Sequence, residues 1–176
     1  SQSSVQIFEV TSGKAVLNIV GPRSRNVLES ASDTEVSNKS IKFSTAKEIT
    51  IGSANVLAVR IGYVGELGFE LHIPTEYASH VYKVLWNAGQ NENIANVGYR
   101  AIESLRMEKG YLYWSSDITP DYTPFEAGVG FRVHLHSKGD FVGRAALEKQ
   151  SLNGLSKKLC TFTCDTDLPV TGGEAI

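Results

Sequence analysis

Apolar and polar positions recur with a changing period along the first hundred residues, and each change marks an expected element. Residues 5–10 and 14–20 are runs rich in β-branched side chains. The Thr-Ser-Gly between them has hairpin-turn composition, so two paired strands are expected. Gly21-Pro22 ends the second run with proline at a helix start, and Arg25, Val27, Leu28 and Ala31 continue a short helix. Residues 42–51 and 54–61 read as strands joined by Gly52-Ser53, a two-residue turn with glycine first. A further strand begins over 70–73, with Leu71 and Ile73 on the face opposite Glu70 and His72. After Pro74 the period lengthens. Tyr77, Val81, Val84, Leu85 and Ala88 recur at helical spacing, with Thr75 as the expected N-cap and Gly89 as the stop. A second helix is expected over about 97–109, with Ala101, Leu105 and Glu108 on one stripe and a Glu103–Arg106 pair. This order implies an α+β fold, an antiparallel sheet with packed helices built from split β-α-β elements.

Over 111–143 the period is lost, with Pro120, Pro124, Gly128, Gly130, Gly139 and Gly143 interrupting. A long irregular stretch inside a compact domain is more often functional than idle. A strand is expected again over 158–163. The 176 residues, 41% hydrophobic and 20% charged, suit one large domain or two small ones. A net charge of −2 without any basic stripe argues against a nucleic-acid partner. No apolar run approaches the roughly 18 residues of a membrane span, and the Ser-Gln-Ser-Ser start carries no signal h-region or Arg-rich presequence, so a soluble, unaddressed chain is expected. Cys160 and Cys164, four apart in the expected strand, are too few for a disulfide framework and lack His partners for zinc; they read as buried or reduced thiols. Of His72, His80, His134 and His136 only the last two are close, on one expected strand face without a third ligand, so no metal site is expected.

The densest chemical signal is 62–70, Gly-Tyr-Val-Gly-Glu-Leu-Gly-Phe-Glu, where glycines at 62, 65 and 68 let the backbone turn tightly beside Tyr63, Glu66 and Glu70. An aromatic wall and a carboxylate that accepts two parallel hydrogen bonds suit a ring with adjacent N–H donors. The segment resembles the GY(T/V)GE-x-G-(F/W)-E signature of the aminomethyltransferase (glycine-cleavage T-protein) family of folate-binding domains. The resemblance continues in order through Gly-Pro-Arg-Ser-Arg at 21–25, Ser-Leu-Arg-Met-Glu-Lys-Gly-Tyr at 104–111, Asp117 with Thr-Pro-Phe-Glu-Ala-Gly at 123–128, and Asp-Phe-Val-Gly-Arg at 140–144. The wording looks most like the C-terminal folate region of the sarcosine and dimethylglycine dehydrogenase branch. More sequence flanks these motifs on both sides in the family, so the chain looks like an excised piece, with 1–145 the central part of the folate-binding domain and 146–176 the truncated start of a C-terminal β-rich domain.

The resemblance implies tetrahydrofolate as ligand, with Glu70 holding the pteridine ring, Tyr63 and Tyr111 lining its pocket and Phe131 as an aromatic wall. It implies no catalytic residue in this chain, since the family's catalytic aspartate lies upstream of Ser1. FAD would sit in a separate flavin domain of the same parent chain, in the mitochondrial matrix. T-proteins place a folate-engaging arginine where this chain has Ile102, beside Glu103; Arg106 matches a structural arginine instead. Asp117 and Glu126 read as scaffolding carboxylates, and Arg23 and Arg25 as exposed helix-surface arginines or, less ordinarily, an anion contact. Two alternatives share the fold: a non-catalytic regulatory module, as in the regulatory subunit of pyruvate dehydrogenase phosphatase, and the T-protein aminomethyltransferase itself.

Overall fold

A computed structural model describes residues 4–136 and 139–165. The chain divides into two units, Ser1–Tyr111 and Leu112–Ile176. In the first, strands β1 (Lys14–Val20), β2 (Ala46–Ile51), β3 (Ala54–Val59) and β4 (Gly68–Pro74) form one antiparallel sheet ordered β1-β4-β3-β2. Helices α1 (Ser24–Ala31), α2 (Ala78–Ala88) and α3 (Tyr99–Glu108) complete an α+β unit. β4 lies between β1 and β3, so the first strand of the sheet pairs with the last.

Alternation along the strands decides which face is covered. Phe69, Leu71 and Ile73 of β4 are fully buried with Ile49, Ile51, Val56 and Ala58, and α1 and α2 close over them through Val27, Leu28, Val81 and Leu85. Glu70 and His72 point to the other face. A one-residue slip would exchange three buried apolar side chains, worth about 1.5–3 kcal/mol each, for a carboxylate and an imidazole, so the register is strongly specified. On α1 the buried positions are Ser24, Val27, Leu28 and Ala31, a single helical stripe.

Several expectations are corrected. Residues 5–10 form no strand: Val5, Ile7, Phe8 and Val10 are exposed, and a 3-10 turn at Thr11–Gly13 replaces the hairpin. Apolar residues at 5, 7, 8 and 10 fall on both phases of the alternation, so neither face is selected. β1 pairs with the distant β4, whose buried phase matches Leu17 and Ile19. β2 begins at Ala46 and β3 ends at Val59, both later and earlier than expected, while the Gly52-Ser53 turn is present with Gly52 at φ +58°. Thr75 does not cap α2; its hydroxyl donates to the Ser12 carbonyl at 2.8 Å. On α3 the stripe turns inward at Ile102, Leu105 and Arg106, and Ala101 and Glu108 are exposed.

The second unit contains α4 (Arg144–Asn153), which the loss of period concealed. Its side chains carry no buried stripe, but Gly143 at φ +91° and Gly154 at φ +80° bracket a run of good helix formers, and that was its available signal. Arg144 Nε donates to Glu148 Oε1 at 2.8 Å one turn along. Residues 158–163 form no strand, and Cys160 and Cys164 are exposed free thiols. His134 and His136 stand in turn and irregular backbone instead of on a strand face.

Candidate functional site

The glycine loop between β3 and β4 is seated on the C-terminal end of α3. Gly65 has φ +72°, and a Cβ there would lie 1.9 Å from Lys109 Cγ, so both conformation and space demand glycine. Glu66 Oε1 meets Lys109 Nζ at 3.5 Å across the same contact. α3 itself ends in a Schellman motif: Gly110, at φ +67°, donates to the Met107 carbonyl at 2.9 Å and Tyr111 donates to the Arg106 carbonyl at 2.9 Å. Arg106, only 3% exposed, returns a bond from Nη1 to the Tyr111 carbonyl and pairs with Glu103, which makes it a structural arginine. The effect is to set the Tyr111 ring against Tyr63, with centroids 6.2 Å apart and planes inclined at 39°.

β4 carries Glu70 out of the opposite side of the same loop. Its register partners are Asn18 on β1 and Val59 on β3. Its side chain is half-buried, and among the described residues its polar neighbour is His72, whose Nε2 lies 3.7 Å from Oε2. Both carboxylate oxygens therefore keep acceptor capacity. Glu70 and Tyr63 share a cavity of about 460 Å³ with Asn18, Tyr82, Trp86 and Ile102 on its walls. That volume lies within the usual span of small-molecule pockets, roughly 300–1,000 Å³. The lining includes three aromatic rings, two asparagines and one carboxylate, with no Lys, Arg or His. Chemically, it offers flat apolar walls and a negative acceptor, a combination suited to a planar ligand bearing adjacent N–H groups.

Glu70 and Tyr63 are thus brought together, and Tyr111 joins them through its ring contact with Tyr63. Phe131 belongs to the second unit, where it is 72% exposed beneath the Arg132 guanidinium, 5.2 Å from its ring centroid, and borders a hollow of about 410 Å³ with Phe125, Gln150 and Lys158. Arg25 is not an exposed anion contact. It is partly buried, donates to the Val36 carbonyl and lies 5.1 Å over the Phe69 ring; desolvation, then neighbouring Arg60, lowers its pKa below the ordinary arginine value. Arg23 faces Glu92 at 3.9 Å. Asp117 accepts from the Tyr113 amide at 2.7 Å. Glu126 is buried and accepts from the Thr123 amide at 2.9 Å, while its own amide donates to Thr123 Oγ1 at 3.3 Å. The backbone bond from Thr123 holds its carboxyl below the usual value. Both carboxylates fasten turns.

Sequence reasoning missed four wall residues, Asn18, Tyr82, Trp86 and Asn96. His72 shares the Glu70 face, as strand alternation implies, and the structure adds its contact with the carboxylate. Asn18 comes to the site through non-local pairing that no local pattern announces. Tyr82 and Trp86, stacked at 6.0 Å one turn apart on α2, together with Asn96, which donates to the Tyr82 hydroxyl at 2.9 Å, form the far wall. Among the described residues no cluster of His, Cys, Asp and Glu could hold a metal, and no helix is long and apolar enough to cross a membrane.

A helix-covered antiparallel sheet whose other face presents a carboxylate into an aromatic cavity defines a small-molecule-binding α+β domain of the aminomethyltransferase type. The chain belongs to the GCVT N-terminal domain family, whose sequence model matches residues 1–137. It is 40% identical over 171 residues to mitochondrial sarcosine dehydrogenase of Mus musculus, covering 97% of this chain and 19% of that protein. It is 39% identical over 170 residues to the mitochondrial pyruvate dehydrogenase phosphatase regulatory subunit of the same species, covering 94% of this chain and 19% of that protein. The chain therefore spans about a fifth of the length of these curated relatives. Among solved structures, the glycine cleavage system aminomethyltransferase T from Bartonella henselae matches with a TM-score of 0.66 and 28% identity, over 81% of this chain and 38% of that one.

Proposed function

We propose that this chain is the tetrahydrofolate-binding part of a mitochondrial sarcosine or dimethylglycine dehydrogenase, which accepts a one-carbon unit to form 5,10-methylenetetrahydrofolate. The observation that carries this reading is Glu70: a half-buried carboxylate with open acceptor capacity, set in an aromatic cavity at the Phe-Glu position of the family signature. Tetrahydrofolate fits the donor set, because its pteridine ring presents an amino group beside a ring N–H, and a carboxylate takes the two together. Glu70 would hold that edge and Tyr63 and Tyr111 would flank the ring, while Phe131, an aromatic wall in the family resemblance, borders the separate hollow of the second unit. When bound, the folate supplies the amine nucleophile that takes up the one-carbon unit.

The work of this chain's own residues is to orient the ring and exclude water around it. No residue of this chain is assigned a catalytic role. Oxidation of the N-methyl amine belongs to a flavin domain of the parent protein carrying FAD. The family match over 1–137 supports taking 1–145 as the folate-binding part. Ile102, on the cavity wall where T-proteins have an arginine, favours the dehydrogenase branch over the T-protein. The similar identity to a phosphatase regulatory subunit supports a second reading, a binding module without turnover. Folate titration of the full chain tests the shared core of both. Calorimetry under anaerobic conditions is expected to give saturable binding that Glu70→Gln weakens by about 1.5–3 kcal/mol, the size of a hydrogen bond to a charged group. Equal affinity in parent and variant would remove Glu70 from the site.

A further inference from the structure

We propose that Asn18 selects the ligand together with Glu70, by reading the ring position next to the two N–H groups that the carboxylate takes. The inference rests on the folate reading and adds a residue to it. In the β1–β4 register Asn18 stands directly opposite Glu70. Their chain neighbours Ile19 and Phe69 also pair, and both of those are buried on the helix-covered face, so Asn18 and Glu70 share the other face. Directly opposed residues of an antiparallel pair have Cβ atoms about 4.5–5.5 Å apart, and both line the same cavity. On the other flank Glu70 meets Val59, which offers no polar atom. The Asn18 amide therefore supplies the polar group directly across the ladder from the carboxylate.

The order of groups fixes the chemistry. A ring lying over this row meets two acceptors from Glu70 and then an amide that either donates or accepts. The complementary edge is amino, ring N–H and carbonyl in succession, which is the 2-amino-4-oxo edge of a pteridine. The Asn18 N–H donates to the 4-oxo oxygen. A 2,4-diamino ring has a bare N3 in place of the ring N–H, so it gives up one bond to Glu70 whatever stands at 18, and it brings a donor at position 4 that the amide meets by presenting its oxygen. An aspartate at 18 could do only the second.

The experiment titrates the full chain, Asn18→Asp, Asn18→Leu and Glu70→Gln with tetrahydrofolate and with a 2,4-diaminopteridine antifolate, circular dichroism establishing that each is folded. Asn18→Asp is expected to weaken the 4-oxo ligand about tenfold while holding or tightening the 4-amino ligand. Asn18→Leu is expected to weaken both by a similar factor. The ratio of the two affinities in Asn18→Asp is the decisive reading, since any general effect of the added charge on folding cancels in it. An unchanged ratio, in a protein whose folate binding still falls in Glu70→Gln, overturns the role of Asn18 and leaves the site intact. A folded parent that binds neither pteridine overturns the folate reading and this inference with it.

Discussion

Glu126 shows how a single side chain can organise a turn without taking part in chemistry. Thr123 and Glu126 exchange backbone-to-side-chain bonds in the reciprocal pattern of a capping box. Because the Thr123 amide stabilises the ionised carboxylate, the folded pKa is depressed. A depressed carboxyl contributes stability above its unfolded value, about 4.3, and loses that contribution as pH falls through the lower folded value. The protection of the Thr123 amide, the slowing of its exchange relative to the unfolded chain at the same pH, is expected to fall as pH drops through the depressed value, and in Glu126→Gln to be lower at neutral pH and to change less on acidification. A parent profile no steeper than the variant's would show that the bond does not hold the turn. The family motif marked this residue, and turn chemistry correctly gave it a scaffolding role; its burial was not legible, because proline and glycine neighbours leave no periodicity from which to infer it.

At the scale of elements, the seat of the glycine loop on α3 is the contact on which the site's geometry depends. A methyl at Gly65 would carry the cost of positive φ, about 1–2 kcal/mol, and would collide with the stem of Lys109. Gly65→Ala is expected to lower thermal stability by about 1–3 kcal/mol and to weaken pteridine binding beyond the loss at Glu70 alone, since Tyr63 moves with the loop. A calorimetric melt paired with a titration checks both; a stable variant with parental affinity would mean that loop and helix end are independent. Elements were legible where one apolar phase dominated. β4 and α2 follow their patterns, whereas 5–10 placed apolar residues on both phases and formed no strand, and α4 had no apolar stripe to betray it. Arg106 reversed the expected facing of α3, because its guanidinium is stabilised inside by Glu103 and a helix-end carbonyl that spacing rules do not foresee.

For the molecule as a whole, stability is distributed unevenly. The first unit has a continuous core from Val27 to Leu85 across the sheet, while among the described residues of the second unit Ala127 is the buried apolar side chain and Glu126 the buried polar one. Local opening is easiest where few apolar contacts must be broken. Hydrogen exchange followed by mass spectrometry is expected to leave β4 and α2 protected longest and to label 112–165 early; uniform protection across both units would contradict this. Glu70, Tyr63 and Tyr111 could be proposed from sequence because family motifs contain them, while the cavity walls from α2 and β1 arise through contacts across long stretches of chain.

Among the described residues β1 has a neighbour on one side only, and Val16 and Asn18 on it are exposed where the cavity wraps that edge. A molecule arriving from solvent can reach the Asn18–Glu70 row without displacing a helix. Under the pteridine reading, entry along this edge is expected to need no opening step within the first unit, and residence time to be set by the bonds at the floor of the cavity.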